Sequence, residues 1–460
     1  LFHQDNAADA QSYLRGASGT PVYSGSLDIG GYLYNAGAGS FSNNVYHWQQ
    51  THLAQGLSLK SEPDGTFTWS LVASNYAYLS DSQRVPAIAL PGAAAGGSGS
   101  INRLTGTGWY TLDANGEWRG LKDHDISFGL HRNVESLSQT RFNTANWLAG
   151  APGTVNSAAH GRTATNALWL QDIWSLTPNL KAALGARLED WHATDGSNYS
   201  ASPALDVRQP TLSTQAFSPK LSLAWQISQP WRLTASWGGA YRMPTVTELY
   251  QTVTTGTILS VPNPRLKPEH ANSYELAVER YSQDGQIRIS LFQEDIANAL
   301  LSQSAPLLAG STTLYSYVQN VDRTRVRGAE LFADQNDVMV PGLELSGSLT
   351  YADGRITKDA AYAPAVNKFI PQLPKWRANA LATYRIGAWA LTLGGRYSDP
   401  SYGTIDDSDP VSQTWQGFGG YFVLDARVRY KVDDNWTLSA GVDNLNNDKY
   451  FLYHPFPQRT

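Results

Sequence analysis

Two polar stretches of this chain gather side chains suited to one kind of chemistry. Arg141, Asn143, Trp147, His160 and Arg162 fall in one, and Arg242, Tyr250, Arg265 and Lys267 in the other. Arginine pairs with oxygen anions through a planar fork of donors and stacks on rings. Such sets suit an anionic, ring-bearing ligand, for example an iron chelate. The plainer reading is that some of them only brace a loop, since a loop must be fixed before it can bind.

Other chemistries find less support. With no Cys there is no thiolate metal site, no cysteine nucleophile and no disulfide framework. The nine His are scattered without zinc-site spacing. Copper(I) favours Met and Cys ligands, and Met243 and Met339 are the only two methionines. A chelated ferric ion brings its own ligands. Gly96-Gly97-Ser98-Gly99-Ser100 lacks the second flanking glycine of a nucleophile elbow and reads as a loop. Asp406-Asp407-Ser408-Asp409 could hold a hard cation but reads better as a solvated acidic loop. The expectation is therefore no catalytic residue, no resident metal and no cofactor. A net charge of -5 gives no basic footprint for nucleic acid.

The elements that carry these stretches follow a rhythm. Extended segments come in pairs joined by tight polar turns, near Pro63-Asp64-Gly65, Leu121-Lys122-Asp123, Pro178-Asn179 and Ser228-Gln229-Pro230. They continue at Gln283-Asp284-Gly285, Pro341-Gly342, Ile386-Gly387 and Asp433-Asp434-Asn435. Between pairs the connections are long, often roughly 15 to 30 residues. Short turns at one end and long loops at the other suit a membrane barrel, whose rims face different compartments.

The faces agree. Leu180, Ala182, Leu184, Ala186 and Leu188 oppose Lys181, Gly185, Arg187 and Glu189; Phe422, Leu424, Ala426 and Val428 oppose Asp425, Arg427 and Arg429. In a membrane barrel the apolar face meets lipid and the charged face lines a wet lumen. Aromatics gather beside the tight turns at Trp174, Trp231, Trp389, Tyr430 and Trp436, and near the far ends at Trp191, Trp237, Tyr351 and Tyr397, as two girdles would. Two strands per turn give about sixteen, each roughly 10 to 14 residues long, from near Tyr46 to near Asn446.

Around the middle the chain reads Tyr241-Arg242-Met243-Pro244-Thr245, then Glu248-Leu249-Tyr250, then Asn263-Pro264-Arg265-Leu266-Lys267-Pro268-Glu269. These residues resemble the signature of TonB-dependent outer-membrane receptors of the ferric-siderophore type. Arg327-Gly328-Ala329-Glu330 resembles that family's Gly-x-Glu strand. Val442-Asp443-Asn444-Leu445 with Lys449-Tyr450 resembles its ending, with Asn446 and Asn447 where Phe and Asp are usual.

The resemblance implies an all-β, transmembrane antiparallel β-barrel with long extracellular loops and short periplasmic turns, in the Gram-negative outer membrane. It implies uptake of an iron-chelate ligand, work done by the TonB-ExbB-ExbD complex through a plug, and a monomer among outer-membrane lipids. About 16 of an expected 22 strands are present. Residues 1 to about 41 would hold the end of a fifth strand and a loop, and Tyr450 to Thr460 the last loop. Residues 1–460 would then be a partial barrel domain, with plug and final strand absent from this numbering. The wall residues Lys181, Arg187, Arg396 and Arg427 would hold the plug.

Tyr241, Arg242, Pro244, Glu248, Lys267, Pro268, Glu269, Gly328, Glu330, Asn444 and Tyr450 belong to the motifs and read as bracing. Arg141, Asn143, Trp147, His160, Arg162, Tyr250 and Arg265 are the candidates for ligand contact. The rival readings are a passive porin and a secreted glycan-binding or glycan-cleaving β-propeller.

Overall fold

The computed structural model describes residues 2–9, 15, 18–29, 32–37, 45–63, 65–255, 258–306, 314–408 and 418–450. Its main sheet begins with β1 (Phe2–Asp9), β2 (Val45–Lys60), β3 (Phe67–Pro86), β4 (Gly108–Trp118) and β5 (His124–Thr144). It continues through β6 (Val155–Thr177), β7 (Leu180–Ser200), β8 (Leu212–Ser228) and β9 (Trp231–Arg242). Then come β10 (Glu269–Ser282), β11 (Gly285–Pro306), β12 (Leu314–Gln335) and β13 (Leu343–Lys358). Last are β14 (Trp376–Ile386), β15 (Trp389–Ser398), β16 (Tyr421–Lys431) and β17 (Thr437–Val442).

Each of these seventeen strands pairs antiparallel with the next, so they form one unbroken meander, with four short strands of the loops added at its upper edge. The same order holds from β9 to β17. The sixteen strands expected between Tyr46 and Asn446 are β2 to β17. All eight tight turns join consecutive strands, although Asp64 lies outside the described residues. Gly387 takes φ +56° in the two-residue turn after β14, a conformation open to glycine at little cost.

Large apolar side chains stand on one face and remain exposed: Leu184 and Leu188 on β7, Leu221 and Leu223 on β8, Ile289 and Leu291 on β11. A soluble wall would be penalised for so continuous an apolar surface; a lipid-facing wall requires it. The opposite face carries ion pairs between neighbouring strands. Arg232 holds Glu279 at 2.5 Å, Arg288 bridges Glu279 and Glu275, and Arg385 holds Glu344. Arg187 pairs with Glu189 and Arg396 with Asp425, whereas Lys181 and Arg427 have no ion pair among the described residues.

Two expectations change. Several strands exceed 14 residues, reaching 23 in β6, while β4, β9, β10 and β14 to β16 keep to the expected 10 to 14. The hydrogen-bond ladders of the longer strands run on past the exposed apolar rows, where side chains such as Leu137, Ala159 and Ala193 are buried under a loop and the alternation no longer marks a lipid face. The second concerns Trp191, which is 2% exposed and sits in a core cluster with Leu137, Ala193, Leu249 and Tyr250. It anchors a loop instead of joining a girdle. Trp174, Trp231 and Trp389, by contrast, are exposed beside the tight turns.

The two faces predict unequal tolerance. Leu331→Arg, on the lipid face between Ile289 and Leu349, should cost about 2–4 kcal/mol in a chemical unfolding titration in bilayers. Ser348→Arg, beside Leu349 on β13 and on the opposite face, should cost far less. Equal penalties would contradict the assignment of faces.

Candidate functional site

The connection from β9 to β10 is built around one buried ring. After Arg242, Pro244 and Thr245 start a short helix α1 (Val246–Tyr250). Thr245 caps it: its hydroxyl accepts from the Glu248 amide while Glu248 Oε2 accepts from the Thr245 amide at 2.9 Å. Arg242 donates to Glu248 Oε1 at 2.6 Å, and Tyr241 stacks on His270 with centroids 4.5 Å apart. Leu249 and Tyr250 are fully buried against β5, β6 and β7, reaching across β8.

Tyr250 lies where β6 and β7 slip register, between Thr194 and Ser197. Gly161 and Gly196 make its seat; a Cβ on either would collide with the ring. Asn198 Nδ2 donates to the Tyr250 carbonyl at 2.7 Å. The phenol oxygen is buried without a hydrogen-bond partner. Burial, reinforced by the nearby Asp195 charge, raises its pKa above the usual tyrosine value.

The return to β10 is clamped as well. The Asn263 amide donates to the Glu248 carbonyl, and Asn320 closes a two-way bond with Lys267, accepting from its amide and donating to its carbonyl. Glu269 accepts from the Leu300 amide at 2.7 Å. Pro268 leads directly into β10. Arg265 is exposed, with only its amide tied, to Asn263 Oδ1.

The β5–β6 hairpin carries the other candidates. Arg141 and Asn143 are on β5, His160 and Arg162 on β6, and of the set only Trp147 lies in the connection. Arg141 Nε donates to Ser100 Oγ, and Asn143 is bonded to Thr154 and Asn156. Trp147 is 2% exposed, packed with Leu90 and Ala93, its indole N–H donating to the Ala93 carbonyl. Arg162 is exposed and His160 is half-buried.

The contact set therefore divides. Tyr250 and Trp147 are buried braces and offer no surface to a ligand, a correction to their expected role. The type of an aromatic residue does not reveal which side of a loop it takes. Arg265 keeps a free guanidinium face, and Arg162 is exposed with its guanidinium within hydrogen-bonding reach of the Tyr110 hydroxyl. Elsewhere Gly328 lets Phe292 cross it closely, Glu330 accepts from Thr350, and Asn444 (φ +55°) bonds both ways with Asp448. Tyr450 is buried and stacked on Tyr421. The helix α1 had a legible signal in Thr245-x-x-Glu248; the glycine seat at 161 and 196 had none.

In the acidic loop Asp406 accepts from Tyr362 and Ser408, and Asp407 accepts from the Phe369 amide. Burial pushes the Asp406 carboxyl up, but bonds from Ser408, Tyr362 and Thr404 bring it below the usual carboxylate value. Its bond raises the Tyr362 phenol. Asp409 lies outside the described residues, and among those no three His, Asp or Glu gather as metal ligands.

The model of the TonB-dependent receptor-like β-barrel matches residues 2–445. The chain belongs to the TonB-dependent receptor family. That family consists of outer-membrane receptors and transporters, and its barrel fold sets aside the soluble propeller. Its barrel portion is what this wall represents, in the Gram-negative outer membrane.

This receptor chain is 27% identical over 280 residues to a probable hemoglobin and hemoglobin-haptoglobin-binding protein of Haemophilus influenzae, covering 48% of this chain and 26% of that one. It is 23% identical to the vitamin B12 transporter BtuB of Vibrio vulnificus, covering 71% and 53%. By fold it is similar to the ferric citrate transporter FecA (TM-score 0.67, 16% identity, 89% of this chain and 59% of that one). It also superposes on the ferric yersiniabactin receptor FyuA of Yersinia pestis (TM-score 0.65, 16% identity, 91% and 60%). The chain thus spans between about a quarter and three fifths of the length of these relatives.

The buried ring makes a prediction. Tyr250→Ala should cost about 3–5 kcal/mol and expose residues 243–268 to protease. Tyr250→Phe should keep the fold, because the hydroxyl has no partner to lose. The neutral phenol contributes its stability in full below the ordinary tyrosine pKa and loses it as pH rises through the raised one. Wild type should therefore lose stability at alkaline pH relative to Tyr250→Phe in paired unfolding scans. Parallel curves would refute the seat as drawn.

Proposed function

We propose that this chain forms the barrel of an energised importer that captures a ferric siderophore complex at its loop rim. In this reading the TonB-ExbB-ExbD complex acts through a plug held by the polar inner wall. The carrying observation is the family match over residues 2–445, on a wall whose inner face is charged and whose outer face is apolar. Composition favours a chelate over a bare soft metal, since copper(I) prefers Met and Cys ligands and the sequence has two Met and no Cys. A probable TonB-dependent siderophore receptor of Acinetobacter baumannii, 25% identical over 201 residues, supports the same ligand class.

The hemoglobin-binding relatives favour a second reading, capture of haem iron from a carrier protein. Arg162 and Arg265 fit the first better, because exposed guanidinium groups suit the dispersed negative charge of a chelate.

Titration of the complete receptor with a panel of ferric chelates, followed by tryptophan fluorescence, separates these readings. An anionic ferric chelate should bind saturably, and Arg162→Ala with Arg265→Ala should weaken it about tenfold without changing barrel stability. Saturable binding of hemoglobin or cobalamin with no response to any chelate would overturn the siderophore assignment.

A further inference from the structure

The outward face of β10 to β13 can be read row by row from its register. From the tight turns upward, Val278, Ile289, Leu331 and Leu349 make one row and Leu276, Leu291, Ala329 and Tyr351 the next. Both rows are apolar, and Tyr351 packs on the exposed Trp376 with centroids 4.8 Å apart. The following row is Tyr274, Gln293, Arg327 and Asp353, and the one above it is Asn272, Asp295, Arg325 and Arg355. The face changes from apolar to charged within one step.

That step lies at the height of the headgroups. Gln293 and Asp295 stand eight and ten residues beyond the start of β11 at Gly285. A tilted strand crosses the hydrocarbon in about 9–11 residues, and the bacterial outer membrane is thinner than average. On β9 and β10 the same level is aromatic, with Trp237 registered to Tyr274. On β11 to β13 it becomes basic, whereas on β5 the single Arg132, eight residues beyond His124, donates to Asn166 and to the Tyr110 hydroxyl.

The cations there are held open. Arg325 pairs with Asp295 at 2.5 Å and Arg355 with Asp353 at 3.0 Å. Arg327 donates only to the neutral Gln293, and among the described residues neither it nor Lys375 has a carboxylate partner. Phe369 offers its ring to the Arg355 guanidinium at 3.6 Å and to the Lys375 ammonium at 4.6 Å, and stacks on Tyr402. A ring holds a cation without neutralising it. Four cations thus face two ladder carboxylates, while a third, Asp407, is turned to the Phe369 amide.

We propose that Arg325, Arg327, Arg355 and Lys375 form an outward-facing docking site for the phosphate of an outer-leaflet lipid headgroup. Guanidinium groups bind phosphate oxygens through paired, charge-assisted bonds. The apolar rows beneath meet the same lipid's acyl chains, which commits the occupant to a lipid instead of a free anion. The site lies on the outer face of the wall, with Lys375 and Phe369 supplied by the β13–β14 connection.

Binding of diphosphorylated lipid A to the full receptor in detergent micelles, followed by native mass spectrometry, tests this. Saturable binding is expected, weakened at least about tenfold by removing the lipid phosphates or by Arg325→Gln/Arg327→Gln/Arg355→Gln. Inorganic phosphate at equal concentration should not compete. Arg327→Gln and Lys375→Gln break no ion pair and should each weaken binding in a barrel of unchanged heat-modifiable mobility. Those single variants decide the matter if the triple variant does not fold. Unchanged binding in the folded variants would overturn the site. So would competition by inorganic phosphate, or equal binding of dephosphorylated lipid.

Discussion

Lipid offers no hydrogen bond to a peptide group, and this constraint organises the whole wall. Each strand must find its partner in the strand beside it, so the chain advances as an unbroken antiparallel meander from β1 to β17. Once the ladder is obligatory, the two faces separate by the period of two residues. One must be apolar because it touches acyl chains. The other is free to be charged, and here its charges are matched across strands, as in the Arg232-Glu279-Arg288-Glu275 chain. A tight network costs little where water enters and fixes neighbouring strands in register.

Above the bilayer the constraint relaxes, and specific anchors replace it. The connection from β9 to β10 could fold in many ways, yet it is held by a capping box, a buried tyrosine and the Asn320 clamp. Each joins the segment to a different part of the wall: α1 to β5–β7, and Lys267 to β12. The result is a strut laid across β8, with Arg265 left exposed on its return limb. Rigidity here is useful, since a guanidinium displayed from a fixed backbone loses less entropy on binding.

What was legible in the sequence follows this division. The tight turns and the alternating segments were plain because lipid enforces both. Upper strand ends were not, because Arg141, Asn143, His160 and Arg162 lie on ladders above the lipid, where a loop packs on β5 to β7 and no lipid-enforced alternation marks them. Trp147, Trp191 and Tyr250 were misplaced for a related reason: burial under a loop is set by tertiary fit, and no local pattern records it. Gly161 and Gly196 are 35 positions apart and meet only because β6 slips against β7 beneath one ring. The capping box at Thr245 and Glu248 was the one anchor written in local spacing.

The change of face chemistry on β11 to β13 belongs to the same logic. A membrane wall has three solvents along its outer surface: water at one rim, hydrocarbon in the middle and headgroups between. Aromatic residues suit that intermediate zone because they are apolar in body and polar at the edge. Arginines suit it only if anions are present, since otherwise they would be desolvated beside acyl chains without compensation. Arg325 and Arg355 keep one carboxylate each, while Arg327 and Lys375 keep none among the described residues. A surface selected only to avoid desolvation would have neutralised all four. The uncompensated pair is therefore best explained by a negative partner at that height, supplied by the membrane itself.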